Sequence, residues 1–83
     1  MEEKTRITLL GIIVEDVKSA ETINQLLHEN RQYVVGRMGI PYRQRGLAII
    51  SVVLDAPQDV TSALSGKLGM LPGVSVKAVY SKN

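Results

Sequence analysis

The sequence predicts an α+β domain: one four-stranded antiparallel sheet with two helices on one face, in the order βαββαβ. Three observations predict it. Two stretches, "ITLLGIIV" at 7–14 and "LAIISVVL" at 47–54, are apolar in both alternating sets of positions, as strands buried inside a sheet are. Each is followed by a segment whose apolar residues recur at helical spacing. A length of 83 residues supports one core and not two, so residues 1–83 form a single domain. Trp and Phe are absent, which leaves Ile, Val and Leu to build that core, a composition that suits a sheet with covering helices.

The first strand is 7–14. Asp16 follows as a helix cap, its carboxylate placed to accept from free backbone N–H groups. Ala20, Ile23 and Leu27 then define the core stripe of a helix ending near Asn30, with Leu26 on its flank. Residues 33–40 alternate weakly, with Val34, Met38 and Ile40 expected on one side and Tyr33, Val35 and Arg37 on the other. The Pro and Gly of "IPYRQRG" mark a hairpin connection to the second doubly apolar strand. Pro57 closes that strand, Asp59 stands near the start of the second helix, and "PGV" leads into a last strand at 74–80.

This order is the ferredoxin-like split βαβ arrangement. Right-handed crossovers place the first and third strands at the centre of the sheet, with both helices on one face. Ile7, Leu9 and Ile13 then point one way and Leu10, Ile12 and Val14 the other; Leu47, Ile49 and Val53 oppose Ala48, Ile50, Val52 and Leu54. Two helices cover only one of these faces. A bare apolar face of several hundred Å² is uncommon on a monomer, so Ile7, Leu9, Ile13, Leu47, Ile49 and Val53 are expected to meet a second copy in a dimer or tetramer.

The glycine-rich stretch "SALSGKLGMLPGVSVK" invites comparison with a phosphate loop, which requires G-x-x-x-x-G-K-[ST] between a strand and a helix. Here the "GK" is followed by Leu68, and Thr61 stands five residues before Gly66, so that reading fails. On a helical projection Val60, Leu64, Leu68 and Leu71 share the arc that faces the sheet. Ser62, Ser65, Gly66 and Gly69 form a small, uncharged arc opposite. Each glycine costs a helix about 1 kcal/mol against alanine; either something approaches that arc closely or the glycines loosen an exposed helix end. Lys67 lies beside the apolar arc, its stem packed and its amine outward, with an anion contact as the other reading.

Net charge is only +2, which argues against a dedicated nucleic-acid binder. The absence of cysteine excludes disulfides, thiolate metal sites and thiol catalysis within the chain. Apolar runs are far too short to span a bilayer, and "MEEKTR" carries no signal-type pattern, so a cytoplasmic protein is expected. Asp16, Asp55 and Asp59 sit where caps are expected, and no nucleophile–base set or metal-ligand spacing emerges; the chain is read as a non-enzyme with no cofactor. His28, the single histidine, lies off the apolar stripe near a helix C-terminus, where solvation is the ordinary outcome. Arg37, Tyr42, Arg43 and Arg45 gather charge around the hairpin. They serve either as solvated charges that discourage edge pairing or as an anion site of forked donors. A nucleic-acid contact, with Tyr33 and Tyr42 stacking bases, is the alternative reading.

The segments "GRMGIPY", "LAIISVVLDAPQD" and "ALSGKLGMLPGVSVK" resemble the small iron-only hydrogenase system regulators, ACT-like proteins similar in fold to the ligand-binding part of the nickel-responsive repressor. The resemblance covers nearly the whole chain. It implies sheet-mediated oligomers and a regulatory role in anaerobic bacterial metabolism. Two departures bound it. The turn "VEDVKS" between the first strand and first helix lacks the glycine beside which ACT domains bind amino acids, and His28 without cysteine cannot reproduce the repressor's metal site. No ribbon-helix-helix or helix-turn-helix segment is present, so a transcriptional effect requires a separate DNA-binding or regulatory partner. The expectation is a regulatory module binding a small effector or a protein, with Arg37, Tyr42, Arg43, Ser65, Gly66 and Lys67 as ligand contacts.

Overall fold

The computed structural model describes residues 4–82. Four strands, β1 (Arg6–Val14), β2 (Val34–Tyr42), β3 (Leu47–Ala56) and β4 (Val74–Tyr80), form one sheet in the order β2-β3-β1-β4, every neighbour antiparallel. Helices α1 (Ala20–Glu29) and α2 (Gln58–Gly69) lie together on one face. The expected βαββαβ order and the two central strands are thus present.

The core sits between that face and the helices. Leu10, Ile12 and Val14 of β1 and Ile50, Val52 and Leu54 of β3 meet Ile23 and Leu27 of α1 and Leu64 and Leu68 of α2. Alternation in β1 is strict, with every second residue from Thr8 to Val14 buried. On α2 the buried residues are Thr61, Leu64 and Leu68. Thr61 therefore takes the innermost place expected of Val60, which is only half-buried, and Leu71 packs against the core from beyond the helix end.

Three local expectations are corrected. Strand β2 continues through Tyr42, so only a 3-10 turn at Arg43–Arg45 and Gly46 connect it to β3. Gly46 closes that turn at φ 66°, the left-handed region in which glycine carries no side-chain penalty. Val34 does not share a face with Met38 and Ile40, because an irregularity between Val34 and Gly36 adds a residue to the edge strand and reverses the alternation after it. Val34 and Arg37 point to the helix side, while Met38 and Ile40 point to the open side. Asp16 caps a 3-10 turn at Val17–Ser19 that precedes α1: the backbone N–H of Lys18 donates to its Oδ1 at 3.0 Å.

That turn is stitched to the loop before β4. The Glu15 N–H donates to Gly73 O at 2.7 Å, and the Ser19 hydroxyl donates to Pro72 O at 2.7 Å. Gly73 adopts φ 68°, and a Cβ there would stand 2.7 Å from the Asp16 Cβ and 2.8 Å from its backbone nitrogen. Two backbones approach as closely as they do because no side chain separates them.

Candidate functional site

The sheet face away from the helices is open. Its make-up follows from the register, which aligns residues in rows across the strands. One row runs Ile40, Ile49, Ile13, Ser75; another runs Gly36, Val53, Leu9, Val79. Between them lies Met38, Ser51, Gly11, Lys77, a row whose middle carries little side chain. A Cβ at Gly11 would meet nothing nearer than Lys77 O at 3.9 Å, so its absence leaves a shallow dent and not a forced contact. Tyr42 pairs with Leu47 at one end of the face and Ile7 with Asp55 at the other. Ile7, Leu9 and Ile13 of central β1 remain 43–45 % exposed, although they lie in the middle of the sheet. All six residues expected at an oligomer contact lie on this face.

At one end of the sheet is an apolar groove of about 300 Å³ lined by Val14, Val17, Ala20, Pro41, Arg43, Gly46, Leu47 and Ala48. It is framed by the turn after β1, the first turn of α1 and the β2–β3 connection. Arg43 is the single charged residue of the lining. Leu47 belongs both to the groove and to the open face, so the two surfaces are continuous.

The candidate ligand residues do not share one pocket. Arg43 lines the groove, while Tyr42 faces the open side of the sheet. Arg37 faces the helix side, where its Nη2 donates to Asn24 Oδ1 at 3.0 Å. Ser65, Gly66 and Lys67 lie on α2 and line neither the groove nor the cavity beside Arg37. Space around Gly66 and Gly69 is open to 4 Å, so among the described residues no neighbouring element approaches these two glycines. Tyr33 packs against the core on the helix side and Tyr42 stands on the other, which denies the alternative reading a shared base-stacking platform. Among the described residues no group of three His, Asp or Glu is placed to hold a metal ion. Among the described residues no helix is long and apolar enough to cross a membrane.

Sequence reasoning missed two sets of residues. Val17 and Ala20 form one wall of the groove, and only the fold brings them to Pro41 and Leu47. Thr8 and Thr61 carry buried hydroxyls with no hydrogen-bond partner, an arrangement that costs about 1–3 kcal/mol per group.

A sheet with one covered and one open face, and a groove at its end, defines an ACT-like domain of the ferredoxin fold. The chain belongs to the TM1266-like family, described as iron-only hydrogenase system regulators, whose profile matches residues 6–78; the description gives the regulatory role as a proposed one. The chain is similar over 94 % of its length, at 40 % identity and a TM-score of 0.90, to 99 % of the uncharacterised protein TM1266 from Thermotoga maritima. Two more distant likenesses show the fold alone. A formyltetrahydrofolate deformylase from Pseudomonas putida KT2440 matches 93 % of this chain with 29 % of its own, at 18 % identity and a TM-score of 0.67. CPII, a nitrogen regulatory PII-like protein from Thiomonas intermedia K12 bound to ADP, AMP and bicarbonate, matches 92 % of this chain with 94 % of its own, at 18 % identity and a TM-score of 0.52. A search of the curated proteins returned no match.

Proposed function

We propose that this protein is a cytoplasmic regulatory domain of anaerobic, iron-only hydrogenase-related metabolism that works as a homo-oligomer and responds to a small effector. It performs no catalysis itself, and any effect on transcription runs through a separate DNA-binding protein. The open sheet face carries this reading. Ile7, Leu9, Ile13, Met38, Ile40, Tyr42, Ile49 and Val79 are each 36–65 % exposed. Together they present on the order of 700–800 Å², more than the 300–600 Å² largest patch of a typical monomer and close to one side of a standard interface.

A second copy is the occupant that this face fits. Its apolar side chains come chiefly from β1, β2 and β3, with Val79 on β4, while Lys77 stands on the β4 edge and Asp55 at one end. Burying two such faces gives a gross apolar gain of tens of kcal/mol at about 25 cal/mol per Å², against an association cost of roughly 4–15 kcal/mol. The groove then opens beside the partner through Leu47, which supports an effector held at the subunit boundary.

Light scattering on variants tests this. Leu9→Lys and Ile13→Lys each place a charge on solvent-exposed positions, so the fold survives, as circular dichroism will report, while association fails. A multimer in the wild type and a monomer in both variants is the expected result at roughly 50 µM chain. A multimer that persists in both variants overturns the reading.

A further inference from the structure

Beside the C-terminal end of α1 lies a cavity of about 550 Å³ lined by Asn24, Leu27, His28, Arg31, Val34 and Arg37. It is separate from the open face, and it shares no residue with the apolar groove. Two guanidinium groups converge on it. Arg31 comes from the 3-10 turn after α1, and Arg37 from the edge strand β2.

Arg37 reaches this cavity only because of the irregularity between Val34 and Gly36. Uninterrupted alternation from Val34, which faces the helices, would send Arg37 to the open face; the extra residue returns it to the helix side, opposite Val52. Strand irregularities of this kind commonly re-aim a side chain beside a binding site.

Both arginines are held by neutral acceptors. Arg31 Nη1 donates to His28 O at 3.0 Å and lies 3.3 Å from His28 Nε2. Arg37 Nη2 donates to Asn24 Oδ1 at 3.0 Å. Among the described residues no carboxylate lines the cavity, and Glu29 at the end of α1 accepts from Gln25 Nε2 at 3.1 Å. Each guanidinium carries five N–H donors in a planar fork, so most remain available after these bonds. The floor is apolar: Leu27 is buried and Val34 half-buried, which weakens solvent screening of a charge placed above it. The partial negative charge of the helix end opposes an anion, and Arg31 offsets it by bonding His28 O.

We propose that this cavity binds the phosphate group of a small molecule, with Arg31 and Arg37 as paired forks and Asn24 and His28 as the groups that hold them in place. Two positive charges fixed on one concave surface match a dianion with several acceptor oxygens. The oligomeric reading is not required, because every lining residue belongs to one chain.

Inorganic phosphate is the probe, titrated at constant ionic strength into the full-length protein and followed by amide NMR shifts. The expected result is saturable binding with shifts centred on residues 24–37. Arg31→Gln and Arg37→Gln should each weaken it by about tenfold, the loss of one charge-assisted hydrogen-bonding group. Lys18→Gln, an exposed charge that lines neither the cavity nor the groove, leaves it unchanged. Either arginine variant alone suffices if the other folds poorly by circular dichroism. Absence of saturable binding, binding as tight as the wild type's in either folded arginine variant, or succinate binding as tightly as phosphate at the same residues overturns the proposal.

Discussion

Replacing Gly73 with alanine should destabilise the domain far more than the same replacement at Gly46, though the two glycines adopt nearly equal φ of 68° and 66°. The backbone term is shared: a left-handed conformation costs a non-glycine residue roughly 1–2 kcal/mol. The surroundings differ. A Cβ on Gly46 meets nothing within 4 Å, whereas one on Gly73 lies 2.7 Å from Asp16 Cβ, 2.8 Å from Asp16 N and 3.3 Å from Asp16 Cα. Carbon atoms rest at about 3.5–4.0 Å, so Asp16 must retreat by about 1 Å. It is held by the Lys18 N–H on its carboxylate, the Ser19 N–H on its carbonyl and the adjoining Glu15–Gly73 bond. Forcing that junction apart adds roughly 1–3 kcal/mol, the ordinary cost of overpacking. Gly46→Ala should therefore lose about 1–2 kcal/mol and Gly73→Ala about 2–5 kcal/mol, against a total near 4–12 kcal/mol for a domain of this size. Urea unfolding followed by far-UV circular dichroism, at one fixed protein concentration, measures both. At roughly 4–8 °C per kcal/mol, the melting temperatures should separate by several degrees or more. Equal losses in the two variants would refute the close approach of the two turns.

Further predictions follow from the polar groups within the fold. Thr61→Val and Thr8→Val remove buried hydroxyls that lack partners and keep the side-chain shape, so each should raise stability by about 1 kcal/mol in thermal or urea unfolding. Ser19→Ala deletes the 2.7 Å bond to Pro72 O and should cost about 1–2 kcal/mol by the same measurement, since it loosens the same junction from the other side.

Much of the fold is legible in the sequence because burial on two faces leaves a plain mark. Residues 7–14 and 47–54 are apolar in both alternating sets, which placed them at the centre of the sheet and foretold the open face. The edge strand left no such mark. One extra residue between Val34 and Gly36 exchanges the face of Val34 relative to Arg37, Met38 and Ile40, and nothing in "VVGRMGIPY" announces where alternation restarts. The candidate sites were harder still. Arg37, Tyr42 and Arg43 are neighbours in the chain yet face three surroundings, while Arg31 and Arg37 meet only because a turn folds between them. Gly73 and Gly69 both belong to the glycine-rich stretch, but only Gly73 has a neighbour that requires it. Composition alone does not separate such cases; the approach of a distant backbone does.

Sedimentation equilibrium of the unmodified chain over a range of concentrations tests most directly whether copies of this protein cover each other's open face. The account predicts a particle of two or more chains that persists to about 1 µM, as an interface of standard size permits. A single-chain mass throughout, up to roughly 100 µM, would contradict it.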